Sequence, residues 1–267
     1  ANTPINENAP KDATSLLTYL NREQYGYTAL FHGQYYTATV VDHKEGTPKY
    51  IKDTVSNKYI EVKQMGEVVY DNKHTTIFPR MYSNDESRNH PVYYKMWSGI
   101  PGNSDRKPTF GENLTYFFKY QINHMYWRYF MWNFAGRQND IQSYGLNYSS
   151  YEPLAASNGT KDLIHGNWIT GVDFIDSWRL GPQKDLPAEL ANNKAKNRLF
   201  CLPLLLGIAG LLFQIKRSPK NAFVVFLLFF MTGLAIVLYL NQPPCQPRER
   251  DYAYAGSFYA FAIWIGM

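Results

Sequence analysis

The sequence predicts a mixed membrane protein, mainly α-helical, with two transmembrane helices, the start of a third, and a large exterior α+β segment containing a small antiparallel sheet. Two apolar runs, Leu199–Ile215 and Ala222–Leu240, contain 17 and 19 residues and no charged side chain. About 20 apolar residues cross the ~30 Å core of a bilayer as a helix. A third apolar run begins at Phe258. The alternative, a buried helical hairpin in a soluble core, is disfavoured because such helices usually carry a polar stripe.

The charges predict how these helices are oriented. The hexapeptide that separates the first two runs carries Lys216, Arg217 and Lys220 and no acid. Short loops rich in Lys and Arg stay on the cytoplasmic side, so both flanking segments are expected outside the cytoplasm. The predicted order is an exterior (periplasmic) segment 1–198, a helix 199–215, a cytoplasmic loop 216–221, a helix 222–240, an exterior loop 241–257 and the start of a truncated helix 258–267. Without a signal-peptide pattern, the chain is expected to be an internal piece of a longer polytopic protein.

The exterior segment predicts several elements. A short helix is expected over Asp12–Arg22, because three leucines share one face and Asp12 can cap it. Tyr27–Tyr70 is rich in β-branched and aromatic residues, which predicts the small antiparallel sheet. Nearer the first apolar run, Gly166–Gly181 predicts an ordered loop and Pro187–Arg198 predicts a helix.

Glu112–Phe134 is the most distinctive exterior stretch. It contains neither Gly nor Pro over 23 residues, and its apolar content is aromatic rather than aliphatic. A helix is therefore predicted, ending before Gly136. Trp and Tyr favour the boundary between membrane and water, which suggests a helix at the outer membrane surface. The alternative is a buried helix of the exterior segment.

Composition excludes some classes of function. The net charge of +5 is shared between the exterior segment and the apolar C-terminal part, so neither is a strongly basic, nucleic-acid-binding surface. Asp173 and Asp176 lie three residues apart but have no His or Cys nearby, so no metal site is expected.

The loop before the third apolar run carries the candidate site. Arg248, Glu249, Arg250 and Asp251 follow three prolines, which stiffen the backbone that presents them. Arginines bind phosphate oxygens in bidentate fashion, and neighbouring acids hold the guanidinium groups in place. We therefore expect Arg248 and Arg250 to bind a lipid phosphate. The supporting polar network is expected to consist of Arg137, Asp140, Glu249 and Asp251. The alternative is that all of these charges pair with one another in a purely structural network.

Five stretches carry a resemblance to a known family. Together they resemble a family of large Bacteroidetes membrane proteins of unknown function that is similar to protein O-mannosyltransferases of the GT-C class. The stretches are Asn21–Gly26, Phe78–Ser83, Tyr120–Gln142, Gly166–Trp168 and Gln246–Phe258.

The resemblance implies part of a multi-span glycosyltransferase of the bacterial inner membrane. Such enzymes move a sugar, often mannose, from a polyprenyl-phosphate carrier to Ser or Thr of exported proteins. The expected partners are therefore membrane lipid, the lipid-linked sugar donor and an acceptor protein. The catalytic Asp of that class lies in the first exterior loop, upstream of this chain. The resemblance consequently assigns no catalytic residue here, and no cofactor other than the sugar donor is expected.

Two other classes of function remain open at this stage. One is a transporter or flippase for a lipid-linked glycan, with the exterior segment as a gate. The other is a non-catalytic envelope scaffold that docks partners through its aromatic surface.

Overall fold

The computed structural model describes residues 12–20, 29–46, 48–53, 55–62, 66–147, 160–184 and 186–267. These residues form an α+β protein with small antiparallel sheets. The chain divides into two compact units, Ala1–Pro79 and Arg80–Met267. The motif Asn21–Gly26 and the predicted boundaries at Arg22 and Tyr27 lie outside the described residues.

The first unit begins with helix α1, Ala13–Leu20. The carboxylate of Asp12 accepts a hydrogen bond from the backbone N of Ser15 at 2.8 Å. This bond satisfies one of the amides left without a partner at a helix start. The predicted helix and its Asp12 cap are confirmed.

The strands of the first unit pair in an antiparallel manner, as predicted, but they form three separate two-stranded sheets. The strands are β1 (His32–Gln34), β2 (Val40–Lys44), β3 (Lys49–Lys52), β4 (Tyr59–Val62), β5 (Glu67–Tyr70) and β6 (Thr75–Ile77). β3 pairs with β4, β2 with β5 and β1 with β6, so each pair encloses the previous one along the chain.

The predicted aromatic helix of the second unit is confirmed as three consecutive helical segments. They are α3 (Phe110–Tyr116), a π-helical segment (Phe117–Trp127) and α4 (Arg128–Phe134). A reciprocal capping box starts α3: the Thr109 side chain accepts from the Glu112 backbone, and the Glu112 side chain accepts from the Thr109 backbone. The chain leaves the helix at Gly136, whose φ is +154°.

Ring stacking accompanies the π-helical segment. The rings of Tyr116, Tyr120 and His124 stack at successive centroid distances of 5.1 and 5.6 Å. Residues four positions apart lie on the same face of a helix, so these three rings follow one another along it. Tyr120, Gln121 and Met125 are buried, which favours the buried-helix alternative over a helix lying on a surface.

Short elements complete the part of the second unit that precedes the apolar C-terminal helices. They are α2 (His90–Ser98), β7 (Gly136–Arg137), β8 (Leu146–Asn147), β9 (Thr160–Lys161), α5 (Asp173–Leu180), α6 (Ala188–Ala191) and β10 (Asn197–Arg198). β7 pairs with β10, and β8 pairs with β9.

Two predictions in this region are wrong in part. The second half of the expected loop Gly166–Gly181 is helix α5. Asp176 fixes the start of this helix, because its carboxylate accepts hydrogen bonds from the backbone N of Thr170 at 2.7 Å and of Gly171 at 2.8 Å. The expected helix Pro187–Arg198 is only the single turn α6, because its last two residues form β10 and pair with β7.

The apolar C-terminal part is helical. Its helices are α7 (Leu202–Arg217), α8 (Pro219–Thr232), α9 (Leu234–Leu240) and α10 (Ala255–Ile265). Within the described part of the chain, one helical stretch, Pro219–Leu240, which comprises α8 and α9, is long and apolar enough to cross a membrane; only 11% of its most apolar window is buried. Helix α7 has 16 residues and does not meet that length, so two transmembrane helices are not confirmed.

Helices α7 and α10 approach each other closely. A Cβ added to Gly210 would lie 1.8 Å from the carbonyl oxygen of Trp264, and one added to Gly207 would lie 2.4 Å from the ring of Phe261. The indole N of Trp264 donates to Oε1 of Gln214 at 2.7 Å. Glycine therefore permits a backbone distance that no larger residue would allow.

Candidate functional site

Side chains of α3 and of the π-helical segment donate hydrogen bonds to the loop between α9 and α10. Gln121 Nε2 donates to Asn241 Oδ1 at 3.0 Å and to the carbonyl of Gln242 at 2.9 Å. The hydroxyl of Tyr116 donates to the same Gln242 carbonyl at 3.1 Å, and the hydroxyl of Tyr120 donates to the Pro243 carbonyl at 3.2 Å. The buried aromatic helix therefore positions the loop that carries the candidate arginines.

Glu249 is the most highly coordinated of the candidate residues. Arg128 donates to both of its carboxylate oxygens, at 3.2 Å from Nη1 and 2.7 Å from Nη2. The Tyr129 hydroxyl and the backbone N of Ser143, at 3.1 Å, also donate to it. The Arg128 guanidinium lies 4.5 Å from the ring centroid of Tyr129 and 4.8 Å from that of Trp132.

These contacts determine the ionisation of Glu249. Burial by itself raises the pKa of the Glu249 carboxyl, but the charge of Arg128 and the hydrogen bonds from Arg128, Tyr129 and Ser143 outweigh it, so the pKa is lowered. A carboxylate that stays ionised and is already fully hydrogen-bonded is a poor proton acceptor. The geometry therefore suits Glu249 to hold Arg128 and the loop together, and it does not suit a base.

Arg248 and Arg250 have a different environment. Arg248 is exposed, and its guanidinium lies 5.6 Å from the ring centroid of Tyr252. Arg250 is half-buried, its backbone N donates to the Tyr129 hydroxyl at 3.2 Å, and its Nε is buried without a hydrogen-bond partner. Neither guanidinium forms an ion pair or hydrogen bond with any of the described residues. Apart from the buried Nε of Arg250, their guanidinium N–H groups are therefore not committed to a described partner.

Among the described residues, none of the other predicted network members forms a hydrogen bond or ion pair with either of these arginines. Arg137 stacks on Trp132, with its guanidinium 3.9 Å from the ring centroid, and its Nε donates to the Asn139 carbonyl at 3.0 Å. Asp140 is exposed and accepts from Asn193 Nδ2 at 3.0 Å. This hydrogen bond is the main cause of the lowered pKa of Asp140. Asp251 begins the 3-10 turn before α10.

Ser143 connects Glu249 to a second polar network, which the sequence analysis did not predict. Ser143 Oγ donates to Asp162 Oδ2 at 2.8 Å, and the same oxygen lies 3.1 Å from His165 Nδ1. The backbone N of Ile164 and of His165 donate to the other oxygen of Asp162. The serine bonds the aspartate rather than the histidine, so this is not the relay that activates a nucleophilic serine. It fixes Ser143, whose backbone N contacts Glu249.

The sequence also missed the partners of Glu249. Arg128, Tyr129 and Ser143 lie 121, 120 and 106 residues from it along the chain. One signal was available: a lone arginine in a helix of otherwise aromatic and buried character needs a carboxylate partner. Among the described residues, no group of three or more His, Cys, Asp or Glu side chains could hold a metal ion.

Comparison with known proteins shows a likeness to one family over part of the chain and indicates no activity. The model of a family of unknown function, DUF8416, matches residues 26–118. This span covers less than half of the chain and ends before Arg128 and the loop with Arg248 and Arg250. No curated protein and no solved structure matches the chain. The chain is thus similar to a family of unknown function over that span, and the likeness to O-mannosyltransferases stays a prediction.

Proposed function

We propose that this chain is part of a membrane-embedded glycosyltransferase that moves a sugar, with mannose as the first candidate, from a polyprenyl-phosphate carrier to Ser or Thr of exported proteins. Arg248 and Arg250 bind the lipid phosphate. The observation that carries this proposal is the division of roles within the loop. Glu249 is occupied by Arg128, so it does not neutralise the two arginines beside it.

The proposed membrane-embedded part includes more than the stretch Pro219–Leu240. We propose that α7, α8–α9 and α10 are embedded together in the inner membrane, with Lys216, Arg217 and Lys220 on the cytoplasmic side. The close contact of α7 and α10 supports a bundle. Apolar side chains of α7 and α8 that remain exposed supply a surface for lipid, among them Leu205, Leu206, Leu212, Phe213, Phe223 and Val224.

Helix α5 supports contact with the membrane surface. The side chains of Phe174 and Trp178, one turn apart, are 84% and 86% exposed. The inner face of α5 buries Asp176 and Leu180, so its apolar face points away from the protein. A Cβ on Gly171, just before α5, would lie 3.2 Å from the ring of Phe200, which directly precedes α7. We propose that α5 lies in the headgroup region where α7 enters the bilayer.

The two arginines would act on the leaving group. As the acceptor hydroxyl attacks the anomeric carbon, negative charge grows on the departing lipid phosphate, and a guanidinium held beside it stabilises that charge. The base that accepts the hydroxyl proton is expected upstream of this chain. Arg128, through Glu249, positions the backbone that carries both arginines.

The test is transfer by the full-length protein. Incubation with polyprenyl-phosphate mannose and a Ser/Thr peptide should increase the peptide mass by one hexose. Arg248→Ala and Arg250→Ala should each lower turnover at least tenfold. Arg88→Ala, which removes an arginine with a 60% exposed side chain, is the matched control and should retain wild-type turnover. Wild-type turnover in both loop variants would reject the phosphate role. Transbilayer movement of the intact lipid-linked sugar, without a gain in peptide mass, would favour the transporter.

A further inference from the structure

A cavity of about 550 Å³ is lined in part by Arg128 and by none of the residues of the loop between α9 and α10. Its lining includes four basic side chains and two tryptophans: Lys119, Arg128, Lys161, Arg179, Trp97 and Trp168. No Asp or Glu belongs to the described lining. Cavities of about 300–1,000 Å³ with aromatic walls and a few converging polar groups are typical of small-molecule sites.

Three of the four cations lack a carboxylate partner. Arg128 is paired with Glu249. In the described part of the chain, no acid forms an ion pair with Lys119, Lys161 or Arg179. The nearby carboxylate of Asp176 is held by Thr170 and Gly171. The cavity thus concentrates positive charge, and apart from Glu249 no described carboxylate is paired directly with it.

Two of these cations also repel each other. Burial lowers the pKa of Lys161, and the charge of Arg179 lowers it further. Burial likewise lowers the pKa of Arg179 to about 10, against the opposing effect of Asp176. Arg179 is fixed in place: it stacks on Trp168 with 3.6 Å between guanidinium and ring centroid, and it donates to the Trp168 carbonyl. Holding like charges together costs free energy that a bound anion would recover.

We propose that this cavity binds a small anionic ligand through its phosphate or carboxylate oxygens. Lys119 and Lys161, which remain partly accessible to solvent, and the fixed Arg179 bind the oxyanion. The half-buried rings of Trp97 and Trp168 contact the ring or apolar part of the same molecule. A sugar bearing a phosphate or a uronic carboxylate has both features. The inference stands without the proposed glycosyltransferase activity, because it uses neither Arg248 nor Arg250.

Isothermal titration calorimetry on the full chain in detergent tests this site with three probes: inorganic pyrophosphate, a uronic-acid disaccharide and a neutral disaccharide of the same size. At least one anion should bind, and its affinity should fall as salt rises. The neutral disaccharide should bind at least tenfold more weakly. Preference for pyrophosphate would assign a phosphate ligand, and preference for the uronic disaccharide would assign a carboxylate. If neither anion binds, or if the neutral disaccharide binds as tightly, the proposal is wrong.

Lysine variants locate the binding. Lys119→Met and Lys161→Met preserve most of the side-chain volume and should each weaken anion binding about tenfold, the usual loss for one charged hydrogen bond. Lys184→Met makes the same charge change outside the lining, at a side chain that is 81% exposed, and should leave binding unchanged. Equal binding by wild type and both cavity variants would overturn the assignment to this cavity.

Discussion

The Arg128 guanidinium and the Glu249 carboxylate form a bidentate ion pair that joins helix α4 to the loop before α10. The side chains of this pair are only 5% and 17% exposed. The pair therefore has two consequences. It fixes a long-range contact of the fold, and it leaves the neighbouring arginines of the loop without an acid.

Breaking this pair from one side should be costly. In Arg128→Met the Glu249 carboxylate stays buried without its cation, and such losses cost about 3–5 kcal/mol. Thermal unfolding in detergent should show a marked fall in midpoint for this variant. The double variant Arg128→Met with Glu249→Met removes both charges and should be more stable than the single variant. A double variant that is as unstable as the sum of the two singles would show that the two residues do not interact.

Acidification should act through His124. Burial, aided by the charge of Arg128, lowers the pKa of His124 well below its ordinary value of 6.5, so the folded protein keeps this ring neutral. Below pH 6.5 the unfolded chain binds a proton that the folded chain does not, and stability falls as the pH decreases. We expect the unfolding midpoint to fall between pH 7 and pH 5, and to fall less in His124→Gln. An identical pH profile for the two proteins would contradict this assignment.

The sequence predicted the elements more fully than the contacts. The apolar runs, the Asp12 cap and the absence of Gly and Pro over Glu112–Phe134 are local signals, and each produced a helix. The partners of Glu249 lie more than 100 residues away, a separation that no local pattern encodes. Helix α5 was missed although Phe174 and Trp178 have helical spacing, because its eight residues, which lie between two glycines, give only about two turns of pattern and were interpreted as part of a loop.

The contact of α7 with α10 predicts a sharp steric effect at Gly210. A valine there would place its Cβ into the Trp264 carbonyl, so the helices would have to separate. Forced overpacking typically costs about 1–3 kcal/mol and sometimes more. Gly210→Val should lower the unfolding midpoint and the yield of folded protein in membranes. Ala209→Val, at the neighbouring exposed position of the same helix, is the control and should behave like wild type. Equal midpoints for the two variants would mean that α7 and α10 do not pack in this way.

Helix α5 predicts that one tryptophan contacts lipid. Trp178 is 86% exposed beside Phe174, whereas Trp97 is half-buried and lines the cationic cavity. In vesicles of lipids brominated near the headgroup, bromine quenches only the indoles that reach the acyl boundary. The quenchable part of the protein's fluorescence should decrease in Trp178→Phe and stay unchanged in Trp97→Phe. Replacing Phe174 with Asp should also reduce quenching, because a carboxylate on this face is driven out of the interface. If Trp178→Phe leaves the quenched fraction unchanged, Trp178 faces water, and the proposed placement of α5 in the headgroup region is wrong.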